Sequence, residues 1–196
     1  MAVLPIRRFP DPCLKAPSRP VSRISPALLR LIDDLVETMR AHPRCVGLAA
    51  PQVGVNLRLA VVDVTGHPKA KEILRPAASG LPRRPPPSAA VPASVGGLLV
   101  LLNPRILVQE GAVVQREGCL SVPDLTGNVR RATRTQVNAL DTNGVSWVRW
   151  FEGFEAVAVQ HEMDHLAGRL FLDRIENVRT DLFRRKQYWF PKGPPA

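Results

Sequence analysis

The run Gln160-His161-Glu162-Met163-Asp164-His165 sets two imidazoles four residues apart, with a carboxylate directly after the first. On an α-helix, positions i and i+4 share a face, so His161 and His165 can grip one metal ion. Glu162 then reaches a water at that ion as a proton acceptor, the arrangement of a hydrolase that makes hydroxide at neutral pH. The plainer reading is a solvated helix that happens to carry His and Glu. Its neighbours argue against that: Phe154, Val157, Ala158, Val159, Met163 and Leu166 make the segment apolar on most sides. Ionisable groups inside such a helix need partners. The chain has only four histidines, and two of them are here.

A catalytic metal site usually takes three protein ligands and keeps one position open. Glu117-Gly118-Cys119-Leu120-Ser121 supplies the third, because the Cys119 thiolate is a strong ligand for zinc or ferrous iron. Gly118 is expected to let the backbone come close to the ion, and a strand-like run, Ala112-Val113-Val114-Gln115, leads into the segment. Taken alone, a cysteine is more simply a small buried apolar residue, and Cys13 has no context that says otherwise. A third element is Cys45-Val46-Gly47-Leu48-Ala49-Ala50-Pro51-Gln52. Its small residues permit close backbone approach, and Gln52 can donate an amide hydrogen bond to a developing oxyanion. By itself this element is weak, since Gly-Leu-Ala-Ala is common where helices start in packed cores.

Together, and in this order, the three elements resemble the signature motifs of the peptide deformylases. The likeness continues through Asp11-Pro12 and a leucine-rich first helix, and covers most of residues 3–65 and 99–175. It implies a metal-dependent hydrolase that removes the formyl group from the formyl-methionine of newly made polypeptides. By this resemblance Cys119, His161 and His165 hold one divalent ion per chain, Fe²⁺ first, with zinc, nickel or cobalt as substitutes. Glu162 carries the proton, while Gln52 and the Leu120 N–H hold the oxyanion. Val46, Glu117, Phe154, Val157 and Ala158 match positions around the methionine pocket, the Gly47 backbone pairs with the extended peptide, and Arg131 neutralises Glu117. One position departs from the pattern: Cys45 stands where the family usually has glycine. A side chain there is expected to narrow the cleft, to need a φ that glycine adopts more easily, or simply to turn away. Its thiol is a candidate for oxidation or for competing as a ligand. Two other readings are a catalytically silent relative that binds peptide N-termini or the ribosome, and a structural zinc module, which would need a fourth protein ligand.

With 196 residues, 45% of them hydrophobic, the chain is long enough for one domain with a real core. No apolar run approaches the length of a membrane helix, and Met1-Ala2-Val3-Leu4-Pro5-Ile6-Arg7-Arg8 lacks the apolar core of a signal peptide. Three cysteines, one a proposed ligand, fit a reducing compartment and a cytoplasmic location. The net charge of +10 suits a polyanionic neighbour such as ribosomal RNA, with no motif for sequence-specific nucleic-acid binding. An arginine-rich, solvated surface accounts for it equally well.

Ser25-Pro26 and the spacing of Leu28, Ile32, Leu35, Val36 and Met39 predict an amphipathic helix over 26–41. Strands are expected at 57–64, 99–102, 106–110, 112–117, 135–141 and 145–151, the last two joined at Asn143-Gly144. The metal helix should run over 153–167 and stop at Gly168. The fold class is therefore α+β, mostly antiparallel strands packed around a central metal-binding helix. Residues 66–98, rich in proline, read as a flexible surface insertion. Residues 174–196 read as a basic tail with a short helix, a candidate for docking on the ribosome.

Overall fold

The computed structural model describes residues 2–72 and 97–185. In chain order the main elements are α1 (Pro26–Ala41), β1 (Gly47–Ala49), β2 (Leu59–Val62), β3 (Leu99–Glu110), β4 (Val113–Cys119), β5 (Val122–Arg131), β6 (Arg134–Leu140), β7 (Ser146–Glu152), α2 (Gly153–Leu166), α3 (Val178–Asp181) and β8 (Leu182–Arg184). One sheet has the order β1-β2-β3-β6-β7 and the other β4-β5-β8, with every neighbouring pair antiparallel.

The first helix begins as its sequence demands. Ser25 Oγ accepts from the Leu28 N–H, Pro26 opens the helix, and Leu28, Ile32, Leu35, Val36 and Met39 form the buried face. The β6–β7 hairpin also turns where expected, with Gly144 at φ 80 and Asp141 Oδ1 accepting from the N–H groups of Asn143 and Val145. The α2 helix packs Ala156, Ala158, Val159 and Leu166 against Ala49, Ala60, Val62, Leu101, Val137, Trp147 and Phe151 of the five-stranded sheet. Behind the smaller sheet, Leu14, Val122, Val129, Leu170 and Phe171 form a separate cluster that includes Cys119. The metal helix thus lies at the meeting of two sheets.

Several expectations need correction. The strands expected at 99–102 and 106–110 form one strand, β3, with register shifts between Leu102 and Arg105 and between Ile106 and Val108. Asn103 sits at φ 51 in that interruption, and its side chain both donates to and accepts from Val21 at 2.8 Å. Neither β5 nor β1 was expected. Pro123, Asp124, Gly127 and Asn128 are poor strand formers, and pairing along the whole of β4 makes β5 a strand. Beyond α3, a single turn capped by the Asn177 side chain, Leu182–Arg184 adds to the edge of β5 as a strand and not as a helix. Of the expected insertion, 73–96 lie outside the described residues, but Pro68–Glu72 is a 3₁₀ helix packed on α2. Tyr188, Trp189, Phe190, Lys186 and Lys192 also lie outside the described residues. Among the described residues no helix is long and apolar enough to cross a membrane.

Candidate active site

Cys119 ends β4, while His161 and His165 lie one turn apart on α2. Their ligand atoms all fall within 4.8 Å of one another, and Cys119 Sγ lies 3.3 Å from His165 Nε2. Cys119 and His165 are buried and His161 is nearly so. Burial alone would raise the Cys119 thiol, but the neighbouring imidazoles bring its pKa well below the ordinary value, so a thiolate belongs here. Two buried oxygen and nitrogen atoms at this point, Glu162 Oε2 and His165 Nδ1, have no hydrogen-bond partner.

Behind the ligands runs a buried ion-pair chain. His161 Nδ1 lies 2.8 Å from Glu117 Oε2, which leaves Nε2 for the ion. Arg131 donates to both Glu117 oxygens and also to Asp164, and Arg174 closes the chain on Asp164 at 2.6 Å. Burial pushes the Glu117 carboxyl up, yet its bonds from His161 and Arg131 prevail and hold it at about 2. The expected pairing of Arg131 with Glu117 is thus present. The parts played by Asp164 and Arg174 were not foreseen, although an acidic residue inside an apolar helix carried the signal.

Gln52 sits in the 3₁₀ turn after β1 and is 2% exposed. The Ala49 N–H donates to its Oε1, which aims Nε2 at Cys119 Sγ and Ser121 Oγ, both at 3.3 Å. The N-terminal strap ties these segments together: the Arg7 N–H donates to Gln52 O at 2.7 Å and the Phe9 N–H to Ser121 O at 2.8 Å. Nothing in the residues of that strap pointed to this. Gln160, inside α2, clamps the helix to the β5–β6 turn through the Ala132 backbone at 3.0 and 2.9 Å.

Gly47 touches the proposed proton carrier. A Cβ added there would lie 2.5 Å from Glu162 Oε1 and 2.8 Å from its carboxyl carbon. Gly118 is on the exposed side of β4 while Glu117 and Cys119 are buried, and its missing Cβ makes room for Arg185 Nη2. Cys45 does not adopt a positive φ; its neighbour Arg44 does, at φ 65. The Cys45 thiol turns to the Gly47 carbonyl at 3.1 Å and packs against the α1 core, so it is not among the convergent ligands. Val46 and Phe154 both pack, partly buried, on the main core, with Val157 and Ala158 buried on the next turn of α2. Leu120 occupies the turn between β4 and β5, beside Cys119.

Comparison with known proteins places the chain in a family. Residues 3–181 match the family described as polypeptide deformylase. The peptide deformylase of Alkalilimnicola ehrlichii is 41% identical over 95% of this chain and 89% of its own, and that of Syntrophobacter fumaroxidans is 38% identical over 95% and 94%. A Legionella pneumophila peptide deformylase structure superposes with a TM-score of 0.73 at 35% identity, covering 91% of this chain and 89% of that one. A class I type b peptide deformylase of Acinetobacter baumannii, bound to Met-Ala-Ser, gives 0.73 at 34% identity over 89% and 99%. By motif, by fold and over nearly its whole length, this chain belongs to the polypeptide deformylase family, metal-dependent hydrolases of the N-formyl group.

Proposed function

We propose that this protein removes the formyl group from N-terminal formyl-methionine, using one divalent ion held by Cys119 Sγ, His161 Nε2 and His165 Nε2. The donor set fits such an ion: one soft thiolate and two imidazoles converge within 4.8 Å, next to a buried carboxylate oxygen with no partner. A thiolate with two imidazoles suits Fe²⁺, with zinc, nickel or cobalt as substitutes. When bound, the ion supplies a Lewis acid and makes a water nucleophilic near neutral pH.

The chain's own residues do the rest. Burial raises the Glu162 carboxyl to about 7, a value suited to taking and returning one proton near neutrality. Glu162 accepts the proton of the attacking water as its oxygen bonds to the formyl carbon. The Gln52 amide and the Leu120 N–H take up the negative charge that develops on the formyl oxygen, each worth a few kcal/mol by the usual scale of such donors, about 3–4. Glu162 then gives its proton to the departing amine nitrogen as the carbon–nitrogen bond breaks, leaving formate and a free methionine amine. Val46, Glu117, Phe154, Val157 and Ala158 receive the methionine side chain. The Gly47 backbone pairs with the peptide, because among the described residues β1 has a strand neighbour on one side only, β2.

The convergence of Cys119, His161 and His165 beside Glu162 carries this reading. Its test is deformylation of formyl-Met-Ala-Ser by freshly purified, iron-loaded protein. Turnover that Glu162→Ala abolishes with metal retained is the expected result; absence of turnover in the parent sinks the proposal. The substrate class, the charge of +10 and the thiols support work in the cytoplasm near the ribosome.

A further inference from the structure

We infer that His67, braced by the 3₁₀ helix Pro68–Glu72, is the outer wall of the methionine pocket and limits which first side chain is accepted. The inference rests on the reading of Phe154 as a pocket residue. The His67 ring stacks on Phe154 with centroids 4.5 Å apart and planes 22° from parallel. Three bonds fix that ring and its backbone. The His67 N–H donates to Val64 O at 3.0 Å, the Ala70 N–H to His67 O at 2.8 Å, and the Lys69 N–H to His67 Nδ1 at 3.2 Å.

Lys69 carries the wall across to the other sheet. Its ammonium donates to Gln115 Oε1 at 2.9 Å and lies 5.7 Å over the Phe154 ring. Gln115 alternates along β4 with Glu117 and Cys119, so its side chain is on the face that carries the ligand and the ion-pair chain. Ala70 packs on the same core as Val46 and Phe154. The stretch 67–70 thus joins the end of β2, the first turn of α2 and the middle of β4 around one aromatic ring. Phe154 stands in the first turn of α2 and is itself only partly buried. With His67 flat against it, one face of the Phe154 ring is covered, and a wall at that place acts against a broad first side chain more than against a slender one. Burial and the nearby Lys69 and Arg44 cations lower the His67 pKa, which favours the neutral ring.

The experiment compares kcat/KM for formyl-Met-Ala-Ser and formyl-Phe-Ala-Ser in the parent, His67→Ala and His67→Phe. Removing the wall should lower the Met-to-Phe preference by about tenfold or more, the scale on which a pocket discriminates by size, with metal content unchanged. His67→Phe, which keeps a stacked ring, should hold the preference within about twofold. An unchanged ratio in His67→Ala overturns the wall while leaving the deformylase reading intact. A parent inactive on both peptides overturns that reading and the wall with it. If His67→Ala fails to fold, Lys69→Met removes the tie to Gln115 and the cation over Phe154 while keeping the His67 ring; a smaller shift in the same direction supports the wall, and none overturns it.

Discussion

Arg131 grips Glu117 at both carboxylate oxygens, Nε to Oε1 at 2.7 Å and Nη2 to Oε2 at 3.0 Å, while Glu117 in turn orients His161. Both side chains are buried, 3% and 6% exposed. Replacing Arg131 by methionine leaves the buried Glu117 with only His161 and Asp164 with only Arg174 as charged partners, which should cost about 3–5 kcal/mol. The sign with pH follows. The folded Glu117 pKa, at about 2, lies below its unfolded value, so its contribution is present above that unfolded value and is lost as pH falls toward 2. Thermal melts from pH 7 to 3 should show the variant's deficit largest near neutrality and shrinking as the pH falls, because the parent alone has this contribution to lose. A deficit that stays constant with pH would remove the network from the stability argument.

The ligand set predicts a difference between two cysteines. Cys119→Ser should lose most bound metal and activity, because a hydroxyl is a poor ligand for a borderline-soft ion at neutral pH. Cys13→Ser should change neither, since its thiol faces Pro51 O at 3.6 Å, away from the ligands. Elemental analysis of protein purified without oxygen decides, and equal metal in Cys119→Ser and parent would refute the assignment.

Two glycines should respond oppositely to a methyl group. Gly47→Ala drives a Cβ into the Glu162 carboxylate, so kcat should fall by about tenfold or more as the proton carrier is displaced. Gly118→Ala meets the far end of the Arg185 side chain, which can swing aside, and Thr126 Cγ2 at an ordinary 3.4 Å, so metal content should hold. Comparable loss of kcat with metal retained in both variants would mean that Gly118 lines the cleft.

Cys13 and Cys45 should be sluggish thiols. Burial and Asp11 push Cys13 up to about 11, and burial with the nearby Glu162 charge pushes Cys45 up to about 12. At pH 8 the thiolate fraction is then on the order of one in a thousand or less, too small for ready alkylation. Mass mapping after brief iodoacetamide treatment should find both unmodified in folded protein. Rapid labelling of Cys45 would restore it as an oxidation-prone group at the cleft.

Ribosome association is tested by charge. Arg184→Glu with Arg185→Glu should weaken cosedimentation with ribosomes, and added salt should do the same, as phosphate contacts require. Hydrolysis of a free tripeptide should persist. Binding indifferent to both charge and salt would remove this strand from any such contact.

The chain alone made the chemistry legible because metal ligation is written in residue type and local spacing. His161 and His165 on one helical face and Cys119 after a strand needed no knowledge of the fold, whereas the Gln52 segment was weak by itself and was named through the family resemblance. The long helices and the Asn143-Gly144 hairpin were equally readable, since caps, 3.6-residue periodicity and turn glycines act within a few residues. Tertiary structure decided what depends on distant partners. β5 is a strand because β4 pairs with it, and Leu182–Arg184 is one because β5 offers an edge. Gly118 yields space to Arg185, a residue 67 positions later by subtraction of 118 from 185, and His67 meets Phe154 only when β2 and α2 are brought together. Packing across the chain has no local period to read, so only the folded molecule could assign those roles.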